Sequence, residues 1–210
     1  MTDLRSQFGD IDIYLFDQLL RGRITTAMRV LDAGCGGGRN LVYLLRAGCD
    51  VSATDADAAA VAEVTRIAAA LAPQLPAGNF RAEPVERMTF DDSAFDVVIS
   101  SAVLHFARDD RHFDSMVREM WRVLKAGGLL FARLASNIGI EARVKPLEGR
   151  RHLLPDGSQR YLVDERMLVD LTGDLGGSMV DPIKTTVVQD QRSMTTWVVR
   201  KSHNSRGANG

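Results

Sequence analysis

Residues 29–39 read Arg-Val-Leu-Asp-Ala-Gly-Cys-Gly-Gly-Gly-Arg, and this stretch decides the fold. Val30 and Leu31 close a buried strand, and Asp32 sets a carboxylate at its carboxyl edge. Gly34, Gly36 and Gly38 form a G-x-G-x-G turn, after which Asn40-Leu-Val-Tyr-Leu-Leu opens a helix. Glycine permits positive φ and lets a ligand approach where a Cβ would stand in the way. The helix start adds unpaired N–H groups and the positive end of a dipole. Strand, glycine turn and helix in that order make a nucleotide site at the edge of a parallel sheet.

Working outward, Gly48 ends the first helix, and 49–54 reads as a second strand that delivers Asp55. Asp55 stands about twenty residues beyond the glycines, where an acidic side chain accepts from both hydroxyls of a ribose. A carboxylate suits that task because it is an acceptor only, with two oxygens. Asp57 caps an alanine-rich helix to Leu71; 79–82 is a short third strand, and 95–100 a fourth, apolar enough to be buried on both faces. An amphipathic helix follows over 111–125, with Phe113, Met116, Val117, Met120 and Leu124 on one face, then a fifth strand at 129–132. Residues 138–160 are the least patterned. Their Lys145, Arg150, Arg151, His152 and Arg160 suit an anionic or carboxylate-bearing substrate. Asp164 caps a helix through Leu171, broken at Gly176-Gly177, and strands at 179–190 and 194–200 meet at a turn over 191–193. Upstream, 10–21 has helical spacing with Asp10 as its cap. The alternation implies an α/β, doubly wound sheet with helices on both faces.

Details of the turn favour one nucleotide over another. A dinucleotide site reads G-x-G-x-x-G, but position 39 is Arg, and the acid at 32 sits badly beside a pyrophosphate while suiting an ammonium. The stretch resembles motif I of the class I S-adenosylmethionine (SAM)-dependent methyltransferases, V-L-D-x-G-C-G-x-G, in their small-molecule, type 11/12-like form. Phe90, Asp92, Phe95, Asp96 and Val98 match the family's F-x-D-x-x-F-D-x-V run, with Asp96 as a structural cap. Lys125-Ala-Gly-Gly resembles its L-K-P-G-G turn, and the terminal hairpin its antiparallel strand seven. The resemblance spans residues 29–200. It implies a Rossmann-like fold with a mostly parallel seven-stranded sheet and an antiparallel last strand. It also implies SAM as cofactor and methyl transfer to a small-molecule acceptor by in-line displacement at the sulfonium.

Carried over residue by residue, the resemblance gives SAM contacts at Asp32, Gly34, Cys35, Gly36, Gly38, Asp55, Val85 and Ser101. It gives an acceptor pocket at Tyr14, His105, Phe106 and Arg133, with His105 the candidate catalytic base at a pKa near neutrality. No metal is implied. Pro84 departs from the pattern, because the family commonly has there an Asp that accepts from the adenine amino group. Glu83, Glu86 or the backbone at Val85 is left for that contact. The expected organisation is one domain over 1–200, with a helical lid at 1–27, a variable substrate loop at 136–163, and a disordered tail at 201–210.

The whole chain narrows the partners. Its 210 residues carry a net charge of −1, so no basic footprint for nucleic acid or an anionic membrane is expected. No N-P-P-Y/F tetrapeptide follows the fourth strand, which argues against amino-methylation of bases. No apolar run approaches a membrane span. Met-Thr-Asp-Leu-Arg-Ser-Gln has no apolar signal core, and Cys35 and Cys49 read as packing residues of a reduced, cytoplasmic chain. A monomer or homodimer is expected. Two other readings stay open: a SAM-binding regulator without activity, and an NAD(P)-dependent oxidoreductase, which Asp32, Arg39 and the terminal hairpin disfavour.

Overall fold

In the computed structural model, which describes residues 3–203, the β1 strand Arg29–Ala33 lies near the middle of the main sheet. Successive side chains of a strand point to opposite faces, so Val30 and Leu31 enter different cores, as do Val97 and Val98. One core gathers Phe113, Met116, Val117 and Met120 of the α5 helix (Asp110–Val123) and the buried Trp197. The other gathers Leu44 of α3 (Val42–Arg46) and Val61 and Val64 of α4 (Ala58–Leu71). A sheet covered on both faces needs strands apolar throughout, as the sequence provides.

The remaining strands of the main sheet are β2 (Asp50–Asp55), β3 (Phe80–Ala82), β4 (Phe95–Ser101), β5 (Leu124–Ala135), β9 (Gly177–Met179), β10 (Lys184–Val188) and β11 (Arg192–Lys201). Their order is β10-β11-β5-β4-β1-β2-β3. The first five strands are parallel, and β11 runs antiparallel between β5 and β10. This is the expected Rossmann-like sheet with one addition. The 179–190 stretch divides into β9 and β10, both pairing with β11, so the sheet has eight strands. The terminal turn lies over 189–191 rather than 191–193, with Gln189 and Asp190 at φ 50° and 53°.

Strand order reverses between β1 and β4, and a ligand crevice opens outside the carboxyl ends of strands at such a point. Asp32 stands one residue before the end of β1, and Ser101 ends β4.

Several local expectations shift. The α2 helix is Ile13–Leu20, and its cap is Asp12, which accepts from the Tyr14 N–H; Asp10 instead pairs with Arg5. A short α1, Leu4–Phe8, precedes it, capped by Asp3. The α5 helix stops at Val123 because Leu124 is already extended (ψ 131°), so Lys125-Ala-Gly-Gly lies within β5. Asp96 fastens the strand entry as expected, accepting from the Arg29 N–H at 2.9 Å and from Lys125 Nζ at 2.8 Å. The 136–163 loop is not structureless. It folds into a small antiparallel sheet of β6 (Lys145–Glu148), β7 (Arg151–Leu153) and β8 (Gln159–Tyr161), and Ser136 pairs with Val163 at its base. The α6 helix, Glu165–Asp174, follows the Asp164 cap. Of the expected tail, Lys201 belongs to β11, and its Nζ donates to the carbonyls of Trp121 and Leu124. Residues 204–210 lie outside the described residues.

Candidate active site

The glycine turn is held by backbone geometry first. Gly34, Gly36 and Gly38 have φ of 84°, 49° and 77°, which side-chain-bearing residues adopt at a cost. Gly34 and Gly36 differ in what surrounds them. A Cβ on Gly34 would lie 2.4 Å from a methyl carbon of Val103, whereas one on Gly36 would meet no heavy atom within 4 Å. Gly34 therefore serves close packing, and Gly36 keeps the ligand side clear. Gly34→Ala is expected to destabilise the fold by about 2–4 kcal/mol, from overpacking and a strained φ. Calorimetry should show a melting temperature lower by roughly 5–15 °C. Gly36→Ala should cost only about 1 kcal/mol of stability, from φ strain, yet lose most nucleotide affinity in a titration.

The turn opens onto a cleft of about 590 Å³. Of the anticipated contacts, Gly34, Cys35, Gly36, Asp55, Val85, Ser101 and Phe106 line it. Gly38 does not; a Cβ there would lie 3.0 Å from Val64, so its role is packing against α4. Asp55 accepts from the Gly36 N–H and the Asp57 N–H, both at 2.9 Å, so it shapes the turn as well as facing the cleft. Each of its oxygens retains a further lone pair for a ligand hydroxyl. Burial, helped by the charges of Asp32 and Asp55, raises the Cys35 thiol well above its ordinary pKa and leaves it a neutral wall.

Asp32 lies behind the turn. It is fully buried, neither carboxylate oxygen has a hydrogen-bond partner among the described residues, and burial pushes its pKa up to about 7. Arg39 pulls that value down and Asp55 pulls it up, both less than burial does. A buried polar group is costly unless it is hydrogen-bonded. An ionised Asp32 therefore lacks a donor.

At the other end of the cleft, Pro84 and Glu86 join Val85 in the lining. Glu83 is excluded from it, because its carboxylate turns to the N–H (2.7 Å) and hydroxyl (3.0 Å) of Thr89. Glu86 Oε1 stands 3.2 Å from His112 Nε2, close but not aligned as a hydrogen bond, and His112 also lines the cleft.

A second chamber of about 270 Å³ adjoins the cleft and shares Arg39 and Ala102 with it. His105 and Arg133 line this chamber and not the cleft. His105 is buried, and its Nδ1 accepts from the Ala135 N–H at 3.3 Å. Burial, with Arg160 nearby, pushes its pKa down to about 4. The expected base near neutrality is thus corrected: His105 is a neutral imidazole at pH 7. Tyr14 lines neither space. Its hydroxyl meets Thr186 Oγ1 at 2.6 Å, and its ring centre lies 5.2 Å from the Arg133 guanidinium carbon.

The residue that sequence reading passed over is Asp12. Its carboxylate is buried and accepts from Arg133 Nη1 at 2.9 Å, with Arg39 Nη2 at 3.8 Å, while its N–H donates to Asn40. Arg39 Nη2 in turn donates to Ser101 Oγ at 2.7 Å. One carboxylate thereby pins the N-terminal segment to the ends of β4 and β5. A polar residue at a helix start reads as a cap, and nothing local marks a partner 121 positions away.

Comparison with known proteins agrees with this geometry. The family model described as "Methyltransferase domain" matches residues 31–132. A ubiquinone biosynthesis O-methyltransferase of Chelativorans sp. (strain BNC1) is 30% identical over 140 residues, covering 64% of this chain and 51% of that protein. The chain thus spans about half the length of that relative. Among solved structures, the Burkholderia thailandensis 1,6-didemethyltoxoflavin-N1-methyltransferase superposes with a TM-score of 0.70 at 18% identity, over 96% of this chain and 82% of that one. That structure holds 1,6-didemethyltoxoflavin and S-adenosylhomocysteine. The magnesium protoporphyrin IX methyltransferase of Synechocystis PCC 6803, with bound SAM, gives 0.65 at 18% identity, over 90% and 77%.

Proposed function

We propose that this chain, whose residues 31–132 match a methyltransferase-domain model, transfers the methyl group of SAM to a small-molecule acceptor. The observation carrying the reading is the glycine turn at the sheet's switch point, with Asp55 on its rim and an unpartnered buried carboxylate, Asp32, behind it. Both features fit SAM. The clear space at Gly36 admits a ligand against the backbone, and Asp32 calls for a positive group near the turn. When bound, SAM supplies a methyl group already activated on a sulfonium.

The chain's own residues then have a modest task. Asp55 accepts from the ribose hydroxyls, Gly34 to Gly36 receive the amino-acid end, and Val85 with Glu86 faces the base where Pro84 replaces the usual acid. Ser101 lies on the cofactor side, and Phe106 closes the acceptor side. Orientation supplies most of the acceleration when the electrophile is pre-activated. The helical lid over 1–27, pinned through Asp12, and the β6–β8 insertion over 136–163 are read as the segments that shape acceptor access. No helix among the described residues is long and apolar enough to cross a membrane. A cytoplasmic setting, without nucleic-acid partners and with the chain as monomer or homodimer, completes the reading. The buried, unpaired Cys35 and Cys49 support the setting.

Isothermal titration with S-adenosylhomocysteine and with NADH tests the cofactor. Binding of the first alone is expected, and binding of NADH alone overturns the reading. Methyl-labelled SAM with a metabolite extract tests the activity. Transfer of label is expected. Binding without transfer would favour the SAM-binding regulator, the reading to which Pro84 points. His105→Ala should lower kcat by about tenfold or raise the acceptor KM while leaving S-adenosylhomocysteine affinity within twofold, because His105 lines the adjoining chamber and not the cleft. A loss confined to cofactor affinity would place it on the wrong side.

A further inference from the structure

The chamber beside the cleft has an unusual charge. Arg39, Arg133, Arg160 and Arg192 all line it, drawn from four separate segments. Among the described residues, two carboxylates answer them. Asp156 pairs with Arg192, and Asp12 pairs with Arg133 while lying at 3.8 Å from Arg39. His105 adds no charge, so the chamber carries an excess of about two positive charges in a partly closed space, where field lines are focused.

Two donors in it are left over. Arg160 has no carboxylate within 4 Å among the described residues; its Nη1 rests on the Gln159 carbonyl, and its guanidinium carbon lies 4.9 Å from the ring centre of Phe106, a cleft residue. Arg133 Nε is buried with no acceptor among the described residues. An unmade hydrogen bond at a buried donor costs the full desolvation of that group. A guanidinium fork matches a carboxylate or phosphate in shape and charge. Arg39 and Ala102, shared by both spaces, connect this chamber to the place where methyl transfer would occur.

We propose that the chamber holds the anionic group of the methyl acceptor, a carboxylate or a phosphate monoester, with Arg160 and Arg133 as its donors. The inference rests on the methyltransferase reading, which puts the methyl donor in the adjoining cleft. At about 270 Å³ the chamber is at the small end of ligand pockets, so it takes the anionic head and a short stem. Asp156 narrows the choice further: its carboxylate already occupies Arg192, so the acceptor's anion takes the Arg160 side.

The test uses the full chain saturated with S-adenosylhomocysteine and measures binding of matched probes by titration calorimetry and NMR. The probes are benzoate and hexanoate, their neutral counterparts benzamide and hexanamide, and phenyl phosphate. At least one anion is expected to bind ten times more tightly than its neutral partner, and the stronger of benzoate and phenyl phosphate identifies the group. Arg160→Gln should remove that preference by about tenfold while leaving S-adenosylhomocysteine affinity unchanged. Arg160→Lys, which keeps the charge but not the fork, should fall between. Equal binding of anions and amides, or an anion preference intact in a folded Arg160→Gln, overturns the proposal. Failure of S-adenosylhomocysteine to bind overturns the methyltransferase reading instead. The same probes on the free protein then decide the anion site separately: a preference lost in Arg160→Gln upholds it, and no preference removes it.

Discussion

Asp55→Ala weakens S-adenosylhomocysteine binding by about a hundredfold or more, measured by titration calorimetry against the wild type. Hydrogen bonds to a charged acceptor are each worth about 1.5–3 kcal/mol, and a ribose offers two donors to this carboxylate. The side chain also orders the turn, since it accepts from Gly36 and Asp57. Removing it leaves those N–H groups to water and loosens the backbone on which the amino-acid end of the ligand rests. Asp55→Asn separates the two contributions. The amide oxygen can keep one of the backbone contacts, but the charge and one acceptor are gone, so a loss of about tenfold is expected. An Asp55→Ala protein that melts like wild type and binds within threefold of it would remove Asp55 from the cofactor site.

Asp55 also shows what a sequence can disclose. Its position follows from strand length and the distance from the glycine turn, both local quantities, and β2 ends on it as expected. The same holds for the positions of the strands along the chain, where apolar runs and turn residues lie side by side, whereas the antiparallel β11 followed from the family resemblance. The insertion at 136–163 was hidden for the opposite reason. Its strands are three or four residues long, and β6 is exposed throughout, so no alternation marks them. The arginine chamber was hidden too. Arg133 and Arg160 read as acceptor-side cations, but Arg39 and Arg192 carry no such sign, and only the fold brings all four to one wall. The position of His105 beyond β4 is legible in the sequence but its pKa is not, because that depends on burial and on Arg160, neither of which is local.

Asp32→Asn is expected to move stability and affinity in opposite directions. The wild-type carboxyl titrates at about 7 in the folded protein, chiefly because it is buried, against an ordinary value of 3.8. Between those values the folded state holds a proton that the unfolded state has lost. Stability therefore falls as pH rises from about 4 to 7, by on the order of 1.4 kcal/mol per pH unit at the steepest, and stays low above that. Asparagine has nearly the same shape and never pays this penalty. At pH 8 the ligand-free variant should be more stable than wild type by up to roughly 3–4 kcal/mol, or about 6–15 °C in melting temperature, with little difference near pH 4. Affinity should run the other way, since a ligand ammonium near the turn favours the ionised carboxylate. S-adenosylhomocysteine should bind the variant at least tenfold more weakly at pH 8. In the wild type near pH 6.5, binding should release a fraction of a proton, visible as a difference in heat between phosphate and Tris buffers. A variant no more stable than wild type at pH 8 would mean that Asp32 already has a partner. Unchanged affinity together with no proton release would mean that the carboxylate serves the turn and not the ligand.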